Sequence, residues 1–168
     1  MMKAKLWAVA LVAVVIAGGA AAYVFVYEGN VAVYVRDAPG AWDHVYVTFS
    51  AVDIHESGKA NASWSQVFSG KATLDLVALR NLSQLLGGAR LAPGHFEQIR
   101  MTVTDARGVI AGASVTIGVV NGTLKIVQQF VVSSGKTTAI TLDVNLNSSI
   151  HGNATGWVFT PVIGATVS

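Results

Sequence analysis

Two polar residues, Asp53 and His55, have a spacing that could bind a cation. Residues two apart in a β-strand project from one face, so both side chains would point the same way. Hard cations need several oxygen ligands, and the nearby residues that could supply them are Asp37, Asp43, His44 and Glu56. The alternative is that both residues form local hydrogen bonds at the end of a strand. Two ligands at a fixed spacing do not define a site, so the sequence predicts no metal and no cofactor, with Asp53 and His55 as weak candidates.

No enzyme motif is recognisable in the sequence. Gly135-Lys136-Thr137 resembles the end of a phosphate-binding loop, but Phe130 stands where that loop requires its first glycine. The chain has no cysteine, which excludes disulfides and thiol catalysis. It also lacks a G-x-S-x-G nucleophile elbow. We therefore predict no catalytic residues and expect that the protein is not an enzyme.

Three tryptophans, Trp42, Trp64 and Trp157, could together form a carbohydrate-binding platform. Packing in the core or at its rim is the more common role of aromatic residues in a small β domain. The second interpretation is favoured.

The segment that would determine the location of the domain relative to the membrane is Leu6–Tyr27. It is an uncharged run between Lys5 and Glu28. As a helix it would be about 33 Å long, which matches the hydrocarbon core of a bilayer. The only charges before it are Lys3 and Lys5, which favour a cytoplasmic N-terminus. The sequence therefore predicts a single-pass protein of the cell membrane with its C-terminal domain outside.

A cleaved secretory signal is the alternative. The basic start, the apolar run and the small residues at Ala20-Ala21-Ala22 fit that pattern, and cleavage there would give a secreted protein. The apolar run continues through Tyr23–Tyr27, where aromatic residues suit a membrane interface. A retained anchor is favoured, and both alternatives place the domain outside. Residues 1–28 are thus predicted to be the anchor or signal, and residues 29–168 one extracellular domain.

The composition of this domain limits its partners. The chain has eleven Lys and Arg against nine Asp and Glu, and Lys3 and Lys5 account for the excess. A neutral domain without basic runs has no electrostatic footprint for nucleic acid. The partners predicted are therefore the membrane, through Leu6–Tyr27, and an envelope protein.

Five of the asparagines lie in N-x-[ST] sequons, which are acceptors for N-glycosylation. These asparagines are Asn61, Asn81, Asn121, Asn147 and Asn153. Because acceptor sites lie in surface loops of exported proteins, the sequons predict a glycoprotein in a host that glycosylates.

The domain has the pattern of an all-β fold. Val45, Val47, Phe49 and Ala51 alternate with polar residues as in a half-buried strand, and Asn121-Gly122 is a strong hairpin signal. Leucines at helical spacing over residues 76–86, followed by Gly87-Gly88, predict the one helix. The prediction is a β-sandwich of about eight strands with one short helix, preceded by the N-terminal transmembrane or signal helix.

The order of the motifs resembles a secreted bacterial and archaeal family, the domain of unknown function 4382. The resemblance covers roughly residues 29–164, and the segments that carry it are VAVYVRDAPGAWDHVYVTFSAVDIHESG, LDLVALRN, LLGGARLAPGHFEQIRMTV, GTLKIV, TTAITLDVNLNSSI and FTPVIG. It implies an exported cell-envelope protein with a β-sandwich fold and no established activity. The family usually has an acidic D-F-D where this chain has Asp143-Val144-Asn145.

These observations predict a membrane-tethered or secreted cell-surface β-sandwich with a structural or interaction role. One alternative is an accessory small-ligand or metal-binding subunit of an envelope complex. Another is a subunit of an extracellular filament that donates Tyr23–Tyr27 as a strand to its neighbour. In that alternative the uncharged Val31–Val35 would lie at a sheet edge.

Overall fold

The computed structural model describes residues 28–37, 42–58, 64–80 and 82–168. The fold is mostly β, with eleven strands, one short 3₁₀ helix at Val77–Leu79 and one short α-helix, α1, at Leu146–Ser149. The strands are Gly29–Asp37 (β1), His44–Glu56 (β2), Trp64–Asp75 (β3), Gln84–Leu91 (β4), Gly94–Ile110 (β5), Ala113–Val119 (β6), Thr123–Val132 (β7), Thr137–Val144 (β8), Ile150–Asn153 (β9), Gly156–Phe159 (β10) and Ile163–Val167 (β11).

The strands form two mixed sheets. The smaller has four strands in the order β11-β8-β1-β4, with β1 and β8 parallel. The larger has seven strands in the order β3-β2-β5-β6-β10-β9, with β7 also paired to β5. Within it β6 and β10 are parallel. One hydrophobic cluster takes its buried side chains from both sheets, so they share a core.

Strand β2 shows how the chain assigns side chains to the two faces of the larger sheet. Val45, Val47 and Phe49 are fully buried, and so are Val52 and Ile54, although Phe49 and Val52 are three residues apart. The register shifts between Phe49 and Ala51, so a bulge restores the inward direction at Val52. The prediction that Ala51 continues the buried face is therefore wrong. The same bulge directs Asp53 away from the core.

The predicted leucine-rich helix over residues 76–86 is also wrong. The segment contains only the 3₁₀ turn before β4 begins at Gln84, and Leu82 and Leu85 are exposed. Gly87-Gly88 does not end a helix but pairs with β1. A Cβ atom on Gly88 would lie 2.7 Å from the carbonyl oxygen of Val31. The glycine thus permits a close approach of two strands, which sequence spacing does not distinguish from a helix end.

The predicted hairpin at Asn121-Gly122 does not form either. Asn121 has the positive φ of a turn, at 52°, but β6 and β7 both pair with β5 rather than with each other. With seventeen residues, β5 is long enough to pair with β6 over one half and β7 over the other. The turn therefore separates two strands that pair, one after the other, with the same edge of β5.

Strand β1 lies between β8 and β4. The prediction that Val31–Val35 lies at a sheet edge is wrong, because both sides of the strand are paired.

Candidate functional site

The surface of the larger sheet that points away from the core is its outer face. Pairing of the strands places the outer-face side chains in rows that run across the sheet. Two rows carry most of its charged and aromatic groups. The Asp53 row consists of Gln66, Asp53, Arg100 and Lys125, from β3, β2, β5 and β7. The Tyr46 row consists of Asp75, Tyr46, Arg107 and Thr116, from β3, β2, β5 and β6.

In the Asp53 row the acid and the arginine are direct neighbours. Arg100 donates from Nε and Nη2 to Oδ2 of Asp53, at 3.1 and 3.0 Å. The Asp53 side chain is only 10% exposed and that of Arg100 33% exposed. The carboxylate therefore needs the guanidinium, since a buried charge is costly unless it is paired.

Trp64 lies beside this ion pair. The guanidinium carbon of Arg100 is 4.3 Å from the centroid of the Trp64 ring, and Nζ of Lys125 is 5.8 Å from it. Both distances fall in the range of cation–π attraction. Because Arg100 lies two strands away from Trp64, the indole reaches across β2 to make this contact. The ring thus helps to hold Arg100 in place.

His55 packs against Trp64, with ring centroids 5.0 Å apart. Its Nδ1 lies 3.3 Å from Oε1 of Glu97. That Nδ1 atom is nevertheless buried without a hydrogen bond, because the contact lacks the required geometry. The His55–Glu97 pair is a close electrostatic contact, and the role of His55 is to pack against Trp64.

In the Tyr46 row the aromatic ring separates the acid from the arginine. Asp75 contacts His44 instead, with 2.7 Å between its Oδ2 and Nδ1 of His44. The backbone N–H of Val45 donates to the other oxygen of Asp75 at 3.2 Å. The guanidinium of Arg107 lies over the Tyr46 ring, 5.1 Å from its centroid. No carboxylate among the described residues forms an ion pair with Arg107.

A groove adjoins this row. It has a volume of about 460 Å³ and lies between Tyr46, Arg107 and the β6 residues Ser114 and Thr116. Arg107, Ser114 and Thr116 are exposed, so hydrogen-bond donors and hydroxyl groups face solvent along it. The groove combines an aromatic ring, hydroxyls and a guanidinium that has no carboxylate partner among the described residues.

The structure separates the residues considered for a metal site. Asp53 is paired with Arg100, and His55 lies near one end of β2. Asp43 and His44 lie at the other end of that strand, and Asp43 accepts a hydrogen bond from the backbone of Gly112. Among the described residues no cluster of three or more potential ligands is present. A cation at Asp53 would have to displace Arg100.

The three tryptophans do not form one platform. Trp42 and Trp157 pack edge to face with centroids 5.0 Å apart, and Trp42 is buried. A Cβ atom on Gly108 would lie 2.5 Å from the Trp42 ring, so the glycine makes room for it. Trp64 lies near Arg100, about 26 Å from Gly108 along β5 at the usual rise of a strand.

Three of the sequon asparagines are described. Asn121, Asn147 and Asn153 are exposed, and Asn153 accepts hydrogen bonds from the backbone and hydroxyl of Thr155, at 2.9 and 2.8 Å. Asn61 and Asn81 lie outside the described residues.

The departure from the acidic D-F-D pattern has a structural explanation. Asn145 is the N-cap of α1, and its side-chain oxygen accepts a hydrogen bond from the N–H of Ser148 at 3.0 Å. Asp and Asn are equally good caps, so this position does not need a carboxylate. Asp143 forms an ion pair with Arg36 at 2.6 Å.

Sequence reasoning missed Tyr46, Arg100, Arg107 and Lys125. Alternation along β2 would have placed Tyr46 on an outer face, and alternation along the first part of β5 would have placed Arg100 there. Arg107 lies beyond a register shift between the pairings of Val103 and Asp105, and Lys125 lies on β7. Their neighbours on adjacent strands, however, depend on register and bulges that a single strand's pattern does not specify.

The predicted anchor Leu6–Tyr27 lies outside the described residues. Among the residues that the structure does describe, no helix has the length and apolar character needed to cross a membrane.

Comparison with known families gives a match over most of the chain. The model of a domain of unknown function, DUF4382, matches residues 28–161, which span both sheets and both rows of the outer face. No curated protein and no solved structure gave a significant match.

Proposed function

We propose that this chain, which belongs to the DUF4382 family, is a membrane-tethered or secreted β-sandwich of the cell surface with a structural or interaction role. The observation that carries the proposal is the outer face of the larger sheet. Arg107, Thr116 and Lys125 are exposed there, and Tyr46 and Trp64 are half-buried. Aromatic residues and arginines are the side chains most enriched where proteins bind their partners.

The arrangement of the histidines supports a non-catalytic role. His44 has the carboxylate partner that orients a general base, Asp75. No hydroxyl of the described residues hydrogen-bonds to its other ring nitrogen. A nucleophile and a base must lie within hydrogen-bond reach of each other, so His44 and Asp75 together fit a surface ion pair.

The surface location rests on the apolar run Leu6–Tyr27 and the lysines before it. Its test uses the full-length protein in its native cells. A membrane-impermeant amine reagent should modify Lys125 and Lys136, both exposed, on intact cells. Modification of these two lysines only after lysis would contradict the proposal, and lysines of a cytoplasmic protein provide the control.

Carbonate washing separates the tethered form from the secreted form. A retained anchor keeps the protein in the membrane fraction, and its intact mass then includes the N-terminal residues. A mass that begins at Tyr23, with the protein in the wash, would establish the secreted form instead.

A second role, as an accessory small-ligand subunit, is favoured by the groove beside Tyr46 and Arg107. Its volume, about 460 Å³, lies within the range of small-ligand sites. It lies on the same face as the proposed interaction surface.

A further inference from the structure

The geometry of the Tyr46 row points to a binding site for a carboxylate-bearing sugar, such as a uronate residue of an extracellular polysaccharide. The site is the groove between Tyr46, Arg107, Ser114 and Thr116. This inference rests on the proposed surface role, because it names the class of ligand that such a surface would meet.

Arg107 is available to pair with an acidic ligand. Arg100 uses its Nε and Nη2 donors on Asp53, whereas Arg107 has no carboxylate partner among the described residues. A guanidinium presents five donors in a planar fork that suits a carboxylate. A charged ligand group would therefore meet its opposite charge at Arg107.

The lining of the groove suits a sugar ring. A pyranose ring has one face of C–H groups and a rim of hydroxyls. Ser114 and Thr116 offer exposed hydroxyls for the rim. The Tyr46 ring, which has the Arg107 guanidinium over it at 5.1 Å and His44 stacked at 5.8 Å, holds the arginine at the groove. Thr116 is the direct cross-strand neighbour of Arg107, so a sugar that is held by the arginine lies within reach of this hydroxyl.

The charges near Arg107 affect how a ligand carboxylate can approach it. Asp75 is occupied by His44 and the N–H of Val45. Asp105 is exposed and lies two residues before Arg107 on the same face of β5. Its charge repels an anion, whereas the hydroxyls of Ser114 and Thr116 favour a ligand that lies over β6.

The test measures binding of a galacturonate oligosaccharide to the full-length protein by calorimetry. The protein is held in a detergent without a sugar head group, which avoids competition. Arg107→Gln should weaken binding by about tenfold or more, because it removes a charge-assisted hydrogen bond. Asp105→Asn should strengthen it severalfold by removing repulsion. Arg36→Gln, an exposed arginine of the other sheet, should leave binding unchanged.

Two probes separate the ligand classes. A neutral galactose oligosaccharide of the same length should bind at least tenfold more weakly, and an acidic peptide should not compete. Three results would each overturn the inference. They are equal binding of the neutral oligosaccharide, competition by the acidic peptide, and unchanged affinity with Arg107→Gln. None of these results bears on labelling of intact cells, so the surface role is judged separately.

Discussion

The Asp53 row and the Tyr46 row use similar residues on the same sheet but arrange them differently. In the first, Asp53 and Arg100 occupy adjacent strands and pair directly. In the second, Tyr46 lies between Asp75 and Arg107, which puts the acid and the arginine about 10 Å apart at the usual spacing of strands. One arginine is consequently held by the protein, and the other is left for solvent or a ligand.

This difference assigns the two rows separate roles. A partly buried ion pair beside an aromatic ring stabilises the sheet at the Asp53 row. An exposed arginine beside a groove contributes little to stability, because no carboxylate among the described residues pairs with Arg107. The first row should therefore respond to mutation in the free energy of unfolding, and the second in binding.

Among the substitutions of the acids, the largest effect is expected for Asp53→Asn. The substitution leaves the charge of Arg100 without its partner in a site where only a third of the arginine side chain is exposed. We expect a loss of about 2–3 kcal/mol in the free energy of unfolding, below the full cost for a deeply buried pair. Urea denaturation of the purified protein measures it.

The double variant Asp53→Asn with Arg100→Gln is the matched control. Removing both charges leaves neither one unpaired, so it should recover part of the loss. A loss in the double variant equal to the sum of the two single losses would show that the pair does not act as a unit.

Trp64→Leu should have the next largest effect. Leucine keeps an apolar side chain beside β2 but has no ring to attract Arg100, at 4.3 Å, or Lys125, at 5.8 Å. The expected loss is about 1–2 kcal/mol, from the cation–π contacts and the smaller buried area. Thermal unfolding followed by circular dichroism measures it, and Trp64→Phe should retain part of the stability. Equal losses for both variants would rule out a role for the ring.

Asp75→Asn should cost less than 1 kcal/mol, because His44, its ion-pair partner, has a side chain that is 50% exposed. The asparagine oxygen can still accept the N–H of Val45. The measurement is the same urea denaturation used for Asp53→Asn, which makes the two acids directly comparable. A loss as large as that of Asp53→Asn would remove the distinction between the rows.

The sequence predicted most of the strands but not the rows. Alternation identified the buried face of β2 as far as Phe49, because hydrophobic burial imposes a period of two on a strand. It failed at Ala51, where a bulge shifts the phase, and at Leu82 and Leu85, where leucines at helical spacing are exposed. Whether Arg107 lies beside an acid depends on the pairing of Tyr46 with Asp75, 29 residues away, and with Arg107, 61 residues away. No local pattern encodes those pairings.

The smallest change in stability is expected for Arg107→Gln. The contact of the guanidinium with the Tyr46 ring is lost at an exposed position, but no ion pair with a described carboxylate is lost. The free energy of unfolding should therefore change by no more than about 0.5 kcal/mol. Urea denaturation of this variant, beside Arg100→Gln, gives the comparison.

Arg100→Gln should be clearly destabilising in that experiment, since it leaves the carboxylate of Asp53 buried and unpaired. The two substitutions are chemically identical and lie seven residues apart on one face of β5. Any difference between them therefore comes from their cross-strand neighbours. Similar losses for both would mean that Arg107 is also held by the protein, and the groove beside it would then lack the free charge that a uronate requires.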